Sequence, residues 1–206
     1  MRRITGVLCA LVVAFSWTAG HAENILDNPD FDTDLSSWSC SSGDGVALWD
    51  SRDVDAASGS GSVQIDNNAP SANAKVSCVQ CVPVVEGDPY RLSAWVYFAD
   101  EGSFTLDGSA RIQIAFSDDA ACTGVVGWGD VATLDAAPGN ANTWVPTATP
   151  WNVAPSGTTH VAAILVSWAD VQDNTTRTHF DAAVLDAFFA RADEIVRVAV
   201  KLGDAE

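Results

Sequence analysis

Basic residues are scarce in this sequence. The 206 residues contain 10 Lys and Arg against 27 Asp and Glu, which gives a formal net charge of −17 at pH 7. A protein this acidic repels phosphate backbones and anionic lipid headgroups. The composition therefore argues against a nucleic-acid partner and against charge-driven binding to membranes.

Long apolar runs are also few. One run follows the basic start Met1-Arg2-Arg3, extends from Val7 to Phe15, and is followed by Ala19-Gly20-His21-Ala22, with small residues at the expected cleavage site. This pattern is typical of a secretory signal peptide, and the run is shorter than a membrane span requires. We expect residues 1–22 to be removed. The mature protein should then be secreted, periplasmic or extracellular, without insertion into a membrane.

Helical periodicity is lacking before Leu185, and strand-like alternation takes its place. The alternation is clearest in Pro89–Phe98, where every second residue suits a protein core. These residues are Tyr90, Leu92, Ala94, Val96 and Phe98. The opposite face carries Trp95 and Tyr97, so this aromatic pair is either covered by another layer or offered to a ligand.

Further strands are predicted on the same grounds. They cover residues 46–49, 62–65, 75–85, 111–116, 159–168 and 177–185. Two prolines make 143–153 an edge or interrupted strand, and we expect the glycine-containing stretch 117–142 to be a loop with function or with short strands of its own. No linker divides the chain. We predict one all-β domain over 23–186 and an extension over 187–206, in which helix and strand stay open.

Four cysteines remain after the predicted signal peptide, which contains Cys9. An even number in an exported chain indicates two disulfides, with three connectivities to choose from. Residues three apart in a strand point to opposite faces, so Cys78 and Cys81 should have different partners. We favour Cys40–Cys78 and Cys81–Cys122 over zinc binding or thiol exchange by the Cys-x-x-Cys pair.

Five short motifs follow one another along the chain. They are Asn24-Ile25-Leu26-Asp27-Asn28-Pro29-Asp30-Phe31-Asp32 with Trp38, then 59–65, 90–96, Trp144 with 154–159, and Phe180-Asp181-Ala182-Ala183-Val184-Leu185. In this order they resemble galactose-binding-like jelly rolls, among them the carbohydrate-binding modules of families four, nine and twenty-two. The resemblance implies a jelly-roll β-sandwich that binds carbohydrate. Ala182 stands where the closing motif of the family has a second acidic residue.

The resemblance also implies a structural Ca²⁺ where the first and last strands meet. Transferred to this sequence, its ligands are Asp32, carbonyls of the stretch 58–62 around Ser60, and Asp181. Calcium prefers such a mixture of carboxylate and carbonyl oxygens. The alternative is that Asp32 caps a turn and Asp181 is a solvated strand residue.

A glycan site needs aromatic platforms and planar polar groups, because sugars present apolar C–H faces and a rim of hydroxyls. Trp95 and Tyr97 share one strand face, and Arg111 and Gln113 share a face of the next plausible strand. If these strands are neighbours in one sheet, the four side chains form such a site. Candidate walls from loops are Trp49, Trp128 and Trp168. The alternative is structural, with Trp95 packed against the N-terminal segment and Arg111 paired with a carboxylate.

Together these patterns predict a non-catalytic protein that binds a poly- or oligosaccharide. The sequence shows no recognisable Ser-His-Asp arrangement. With 27 acidic residues some carboxylates will lie close together by chance, so such a pair does not indicate a glycosidase. Two alternatives stay open. One is a structural or adhesive extracellular β-sandwich with a protein partner, and the other is a small polysaccharide-degrading enzyme on the same fold.

Overall fold

The computed structural model describes residues 24–187 except 42, 69 and 174. The predicted signal peptide and residues 188–206 of the predicted extension lie outside the described residues. In the described part of the chain, no helix has the length and apolarity to cross a membrane. The strands are β1 (Ser39–Cys40), β2 (Gly45–Asp50), β3 (Ser62–Asn67), β4 (Ala74–Pro83), β5 (Pro89–Phe98), β6 (Ser109–Ser117), β7 (Val125–Asp135), β8 (Trp144–Ala148), β9 (Asn152–Val153), β10 (His160–Ala169) and β11 (Thr176–Ala187).

The strands form two antiparallel sheets. One sheet has the order β1-β4-β10-β6-β7, and the other has the order β2-β3-β11-β5-β8, with β9 also pairing with β5. The two sheets pack face to face around one large cluster of buried apolar side chains. The predicted all-β jelly-roll β-sandwich is confirmed.

The packing of β5 shows how sequence alternation becomes a core. Its predicted inward residues, from Tyr90 to Phe98, are at most 3% exposed. They face buried residues of the other sheet, such as Ile112 and Leu165. Burying one side chain like Leu92 stabilises the fold by about 1.5–3 kcal/mol. The same alternation turns Trp95 outward, where it keeps 36% of its surface exposed.

The two disulfides have the pairing that the sequence favours, Cys40–Cys78 and Cys81–Cys122. The first fastens β1 to β4, where its two cysteines lie directly opposite each other. The second ties β4 to the loop between β6 and β7. Cys78 is fully buried in the core, whereas Cys81 is partly exposed on the outer side. The three-residue spacing therefore separates the two cysteines as expected.

The beginning of the domain is attached to its last strand. Asn24 forms an isolated bridge with Asp186, and its side-chain amide donates to the Ala183 carbonyl at 2.9 Å. The Leu185 amide in turn donates to Asn24 Oδ1 at 3.0 Å. A bulge interrupts β11 after Asp181. These contacts bring the N-terminal acidic motif to the closing motif of the sandwich.

The stretch 117–142 is a correction to the sequence prediction. It contains β7, an eleven-residue edge strand, where a loop with at most short strands was expected. Gly127 and Gly129 weaken the strand pattern in the sequence, but packing requires them. A Cβ at Gly129 would lie 2.5 Å from the Ile114 side chain, and one at Gly127 would press on the Pro155 ring. The predicted interrupted edge over 143–153 is confirmed as β8 and β9.

Candidate functional site

The four side chains predicted to bind a glycan, with the candidate wall Trp128, lie on two different sheets. β5 and β6 follow each other in the chain but belong to opposite sheets, so the premise that they are neighbours in one sheet is wrong. The physical reason is that residues 99–108 carry the chain from one sheet to the other. Trp95 and Tyr97 face outward from the six-stranded sheet. Arg111, Gln113 and Trp128 face outward from the five-stranded sheet.

The outward face of the five-stranded sheet brings these last three residues together around a cleft of about 260 Å³. We call it the Trp128 face. The side chains that line it include Lys75 of β4, Arg111 and Gln113 of β6, Trp128 and Val131 of β7, and Trp168 of β10. Strand register explains their proximity, since Gln113 lies between Ile164 and Val131 on neighbouring strands.

Trp128 is the most exposed large apolar side chain of this face, with 63% of its surface accessible. It lies on the edge strand β7, opposite Ala115, where the register shifts by a bulge. The small partner and the bulge leave the indole raised above the sheet. An exposed tryptophan at the rim of a cleft is suited to stack on the apolar face of a ring-shaped ligand.

Arg111 and Gln113 supply planar polar groups beside this platform. The Arg111 guanidinium carbon lies 3.8 Å from the centre of the Trp168 ring, and its Nε donates to Ser109 Oγ at 3.3 Å. Gln113 Nε2 donates to the Gly129 carbonyl at 3.4 Å, which leaves its Oε1 as an acceptor. The polar groups are thereby oriented before any ligand arrives, which reduces the entropy lost on binding.

The outward face of the six-stranded sheet is partly covered. The Tyr97 ring packs against Trp144 at 5.3 Å and His179 at 5.6 Å, and the Arg52 guanidinium lies 4.4 Å above it. Its hydroxyl donates to Asn142 Oδ1 at 3.1 Å. Trp95 borders a separate apolar groove of about 260 Å³. Tyr97 therefore acts as part of a structural cluster, and Trp95 stands apart from the Trp128 face.

Two histidines fall in strands, and His179 forms a cluster with Ser62 and Asp50 that resembles a catalytic group. Its Nδ1 lies 3.1 Å from Ser62 Oγ, and Asp50 Oδ1 approaches the same nitrogen at 3.9 Å. In a catalytic triad the serine and the carboxylate contact opposite ring nitrogens. Ser62 is also fully buried. Burial, followed by the charge of Arg52, lowers the pKa of His179 to about 4, which suits a neutral packing residue.

The predicted metal ligands Asp32, Ser60 and Asp181 line one cavity of about 280 Å³. The cavity is also lined by Asp30, Asp53 and Asp55. Burial and the surrounding carboxylates raise the pKa of Asp30. We call this cavity the acidic pocket. Asp30 and Asp53 were missed as candidates, although Asp30 belongs to the N-terminal motif.

Asp181 is the most buried carboxylate of the acidic pocket, with 1% of its surface exposed. It accepts hydrogen bonds from the amides of Val54 at 2.8 Å and Ala182 at 2.6 Å. Burial raises its pKa to about 6. The two hydrogen bonds lower this pKa, and the negative charges of Asp53 and Asp30 raise it further. Crowded, partly desolvated carboxylates of this kind are the donor set that Ca²⁺ prefers.

The side chains of the acidic pocket do not enclose an ion by themselves. Among the described residues, no group of three His, Cys, Asp or Glu side chains is placed to hold a metal. A Ca²⁺ in this pocket would therefore also need backbone carbonyls and water molecules. The chemistry of the residues fits calcium, with carbonyl ligands as the resemblance implies.

A β-sandwich that presents aromatic, amide and guanidinium groups around an outward cleft has the features of a carbohydrate-binding module. The family model described as carbohydrate binding domain, CBM_4_9, matches residues 23–155, which is more than half of the chain. The chain belongs to this family of carbohydrate-binding domains. No curated protein matches the chain.

Solved structures support the same fold. They include the enzymatically active domain of tailspike protein 4 from bacteriophage CBA120, at 15% identity and a TM-score of 0.56 over 80% of this chain. The CBM22-1-GH10 modules of xylanase 10B from Clostridium thermocellum, complexed with xylohexaose, match at 15% identity and 0.53 over 80%. A xylan-binding domain from CBM 22 matches at 19% identity and 0.51 over 79% of this chain and 94% of its own length. The chain spans only 21% and 28% of the first two structures.

Proposed function

We propose that this carbohydrate-binding protein is exported and binds a poly- or oligosaccharide on the Trp128 face, without catalysing a reaction on it. The observation that carries the proposal is the exposure of Trp128 beside the oriented Arg111 and Gln113. Export rests on the signal-like N terminus and is consistent with the two disulfides, which persist in oxidising compartments. Neither a nucleic acid nor a membrane is part of the proposal.

The binding mechanism follows from the two kinds of group in the cleft. Trp128 would stack on the C–H face of one sugar ring. Arg111 would donate hydrogen bonds to ring hydroxyls, while Gln113 would accept one through Oε1. Val131 and Ile164 add apolar surface beside these groups, which a bound sugar would cover.

A non-catalytic role is supported by the geometry of the His179 cluster. The buried serine and the carboxylate of this cluster meet at one ring nitrogen, so they cannot act as nucleophile and orienting acid on opposite sides of the imidazole. In the cleft of the Trp128 face, the ionisable side chains are the cations Lys75 and Arg111. Glycoside hydrolysis instead uses a pair of facing carboxyl groups.

The acidic pocket is proposed to bind Ca²⁺ as a structural ion. Asp32, Asp181 and carbonyls around Ser60 would be its ligands, with Asp30 or Asp53 as further carboxylates. The ion would neutralise carboxylates whose repulsion otherwise opposes folding. It would thereby join the N-terminal motif to β11, at a distance from the Trp128 face.

A glycan array tests the binding proposal, with the wild type, Trp128→Ala and the matched control Trp95→Ala from the opposite sheet. About 63% of the Trp128 side chain is exposed. If a sugar covers half of this, about 80 Å² of aromatic surface is buried, worth about 2 kcal/mol or a roughly 30-fold change in affinity. We expect Trp128→Ala to lose this factor and Trp95→Ala to retain binding.

Two results would contradict the proposal. If the folded wild type binds no glycan, the adhesive alternative becomes the leading explanation. If Trp95→Ala loses binding and Trp128→Ala keeps it, the ligand occupies the groove on the six-stranded sheet. Release of reducing sugars from a bound glycan would identify an enzyme.

A further inference from the structure

The few cationic side chains of this acidic protein differ in whether they form salt bridges with carboxylates. The described residues contain Arg52, Lys75, Arg91, Arg111 and Arg177. Arg52 pairs with Glu101, Arg91 with Asp186, and Arg177 with Asp66 and Glu101. Within the described residues, Lys75 and Arg111 have no carboxylate within 4.0 Å. Carboxylates outnumber cations nearly threefold in the sequence, so unpaired cations call for an explanation.

Both unpaired cations line the Trp128 face. Lys75 is exposed on β4, directly opposite Trp168 of β10, and Arg111 stacks on the same indole from β6. Acidic residues flank the face, among them Asp130, which lies on β7 between Trp128 and Val131. Asp44 accepts a hydrogen bond from the Lys75 backbone amide at 3.1 Å, and Asp135 lies opposite Ser109 on the edge strand.

The geometry of Arg111 favours an anionic partner. Trp168 supports its guanidinium from below, and Nε is held by Ser109. Its two terminal nitrogens have no hydrogen-bond partner among the described residues. A planar guanidinium with free terminal nitrogens can donate two parallel hydrogen bonds to the oxygens of a carboxylate or of a sulfate ester. Lys75 adds a second positive charge nearby.

The net negative charge of the protein does not forbid such a ligand. At physiological ionic strength, charges more than about 8 Å apart are largely screened. The distant carboxylates therefore act weakly on a ligand that is in direct contact with the two cations. Local charge decides the preference of the cleft.

We propose that the Trp128 face selects an anionic glycan, one whose sugars carry carboxylate or sulfate groups that bind to Arg111 and Lys75. The inference rests on the proposed function and specifies its ligand class. Trp128 stacks on the sugar ring, and the two cations bind its carboxylate or sulfate group. A neutral glycan of the same backbone leaves both cations without a partner and binds less tightly.

Pairs of polysaccharides that differ only in charge test this at physiological salt. One pair is a polyuronate and its methyl ester, and the other is a sulfated galactan and its desulfated form. We expect at least a tenfold preference for the charged member of one pair, because hydrogen bonds between charged groups are worth about 1.5–3 kcal/mol. The pair that shows the preference identifies the anionic group as carboxylate or sulfate.

Variants connect the preference to the two cations. Arg111→Gln and Lys75→Gln should each reduce it about tenfold, while Arg111→Lys should retain part of it. Arg52→Gln is the matched control, since it removes the same charge from the loop after β2, where the guanidinium lies over Tyr97 on the opposite sheet. Each variant is first checked for an unchanged melting temperature.

The outcomes separate this inference from the proposed function. Equal binding of charged and neutral members, binding of neutral glycans alone, or a preference that survives in both Gln variants would overturn the anionic ligand. In those cases a dependence on Trp128 would keep the proposed function intact. Failure to bind any glycan, charged or neutral, would overturn both.

Discussion

The variant Asp181→Asn tests the acidic pocket through its dependence on pH. Burial, with the charges of Asp53 and Asp30, raises the pKa of Asp181 from 3.8 to about 6. The folded state therefore holds this proton more tightly than the unfolded state does. The stability associated with Asp181 is complete below pH about 3.8 and is lost as the pH rises through about 6.

The size of the effect follows from the shift. About two pKa units correspond to about 3 kcal/mol of stability lost at pH 7 in the presence of a chelator. Asparagine carries no charge, and its Oδ1 can accept only one of the amide hydrogen bonds from Val54 and Ala182 well, which costs about 1 kcal/mol. We expect Asp181→Asn to be about 2 kcal/mol more stable than the wild type at pH 7 and about 0.5 kcal/mol less stable at pH 4.

The assay is the melting temperature of both proteins between pH 4 and pH 7.5, in a chelator and in excess Ca²⁺. For a domain of this size, 2 kcal/mol shifts the melting temperature by about 4–8 °C. Calcium at about 100 times its dissociation constant would stabilise the wild type by about 2.7 kcal/mol and the variant far less. Asp170→Asn is the control, because Asp170 is exposed and does not line the pocket.

Carboxylate crowding and calcium binding are separable in this assay. A difference between wild type and Asp181→Asn that is the same at pH 4 and pH 7 in chelator would refute the argument from crowded, buried carboxylates. A wild type that gains no stability from Ca²⁺ would refute the metal site and leave the crowding argument standing.

Two further predictions concern the scaffold. Burial lowers the pKa of His179 from 6.5 to about 4, so the stability that neutral His179 contributes is complete above pH about 6.5 and falls by up to about 3 kcal/mol toward pH 4, with a sign opposite to that of the Asp181 contribution. His179→Phe should flatten this decline in urea unfolding curves, with His160→Phe as control, and parallel wild-type and variant curves would contradict it. The double variant Cys40→Ser, Cys78→Ser removes a link between residues 38 apart in sequence and should lower the free energy of unfolding by about 4 kcal/mol. A loss below about 1 kcal/mol, measured against the wild type in guanidinium, would contradict the loop-closure estimate.

Strand positions could be predicted because alternation is a local property. Each residue of Pro89–Phe98 is assigned to a face by its own chemistry and its place in the strand, and the structure follows that assignment. The same period excludes a disulfide between Cys78 and Cys81 but leaves two pairings open, and the structure has the one that we favoured. Glycine has no side chain that could mark a face, so Gly127 and Gly129 interrupt the alternation in Val125–Asp135. For this reason β7 was not predicted.

Sheet membership could not be predicted in the same way. Whether β5 and β6 share a sheet depends on how the connection over 99–108 crosses the core, and no local pattern encodes that path. The predicted site consequently joined residues from both outward faces. Lys75 was missed for a related reason, because β4 becomes a neighbour of the Trp168 strand only through pairing over a long sequence distance.

Exposed aromatic residues alone do not distinguish the two outward faces, since each carries a partly exposed tryptophan. Charge pairing does distinguish them. Next to the six-stranded sheet, the Arg52 guanidinium lies over the Tyr97 ring and forms a salt bridge with Glu101. Both its cation–π contact and its charge pairing are therefore made within the protein. On the five-stranded sheet, Arg111 also lies over an indole, but within the described residues no carboxylate balances it. A cation–π pair whose cation also has a salt-bridge partner stabilises the fold. A cation–π pair in a cleft whose cation has no such partner can bind an anionic ligand.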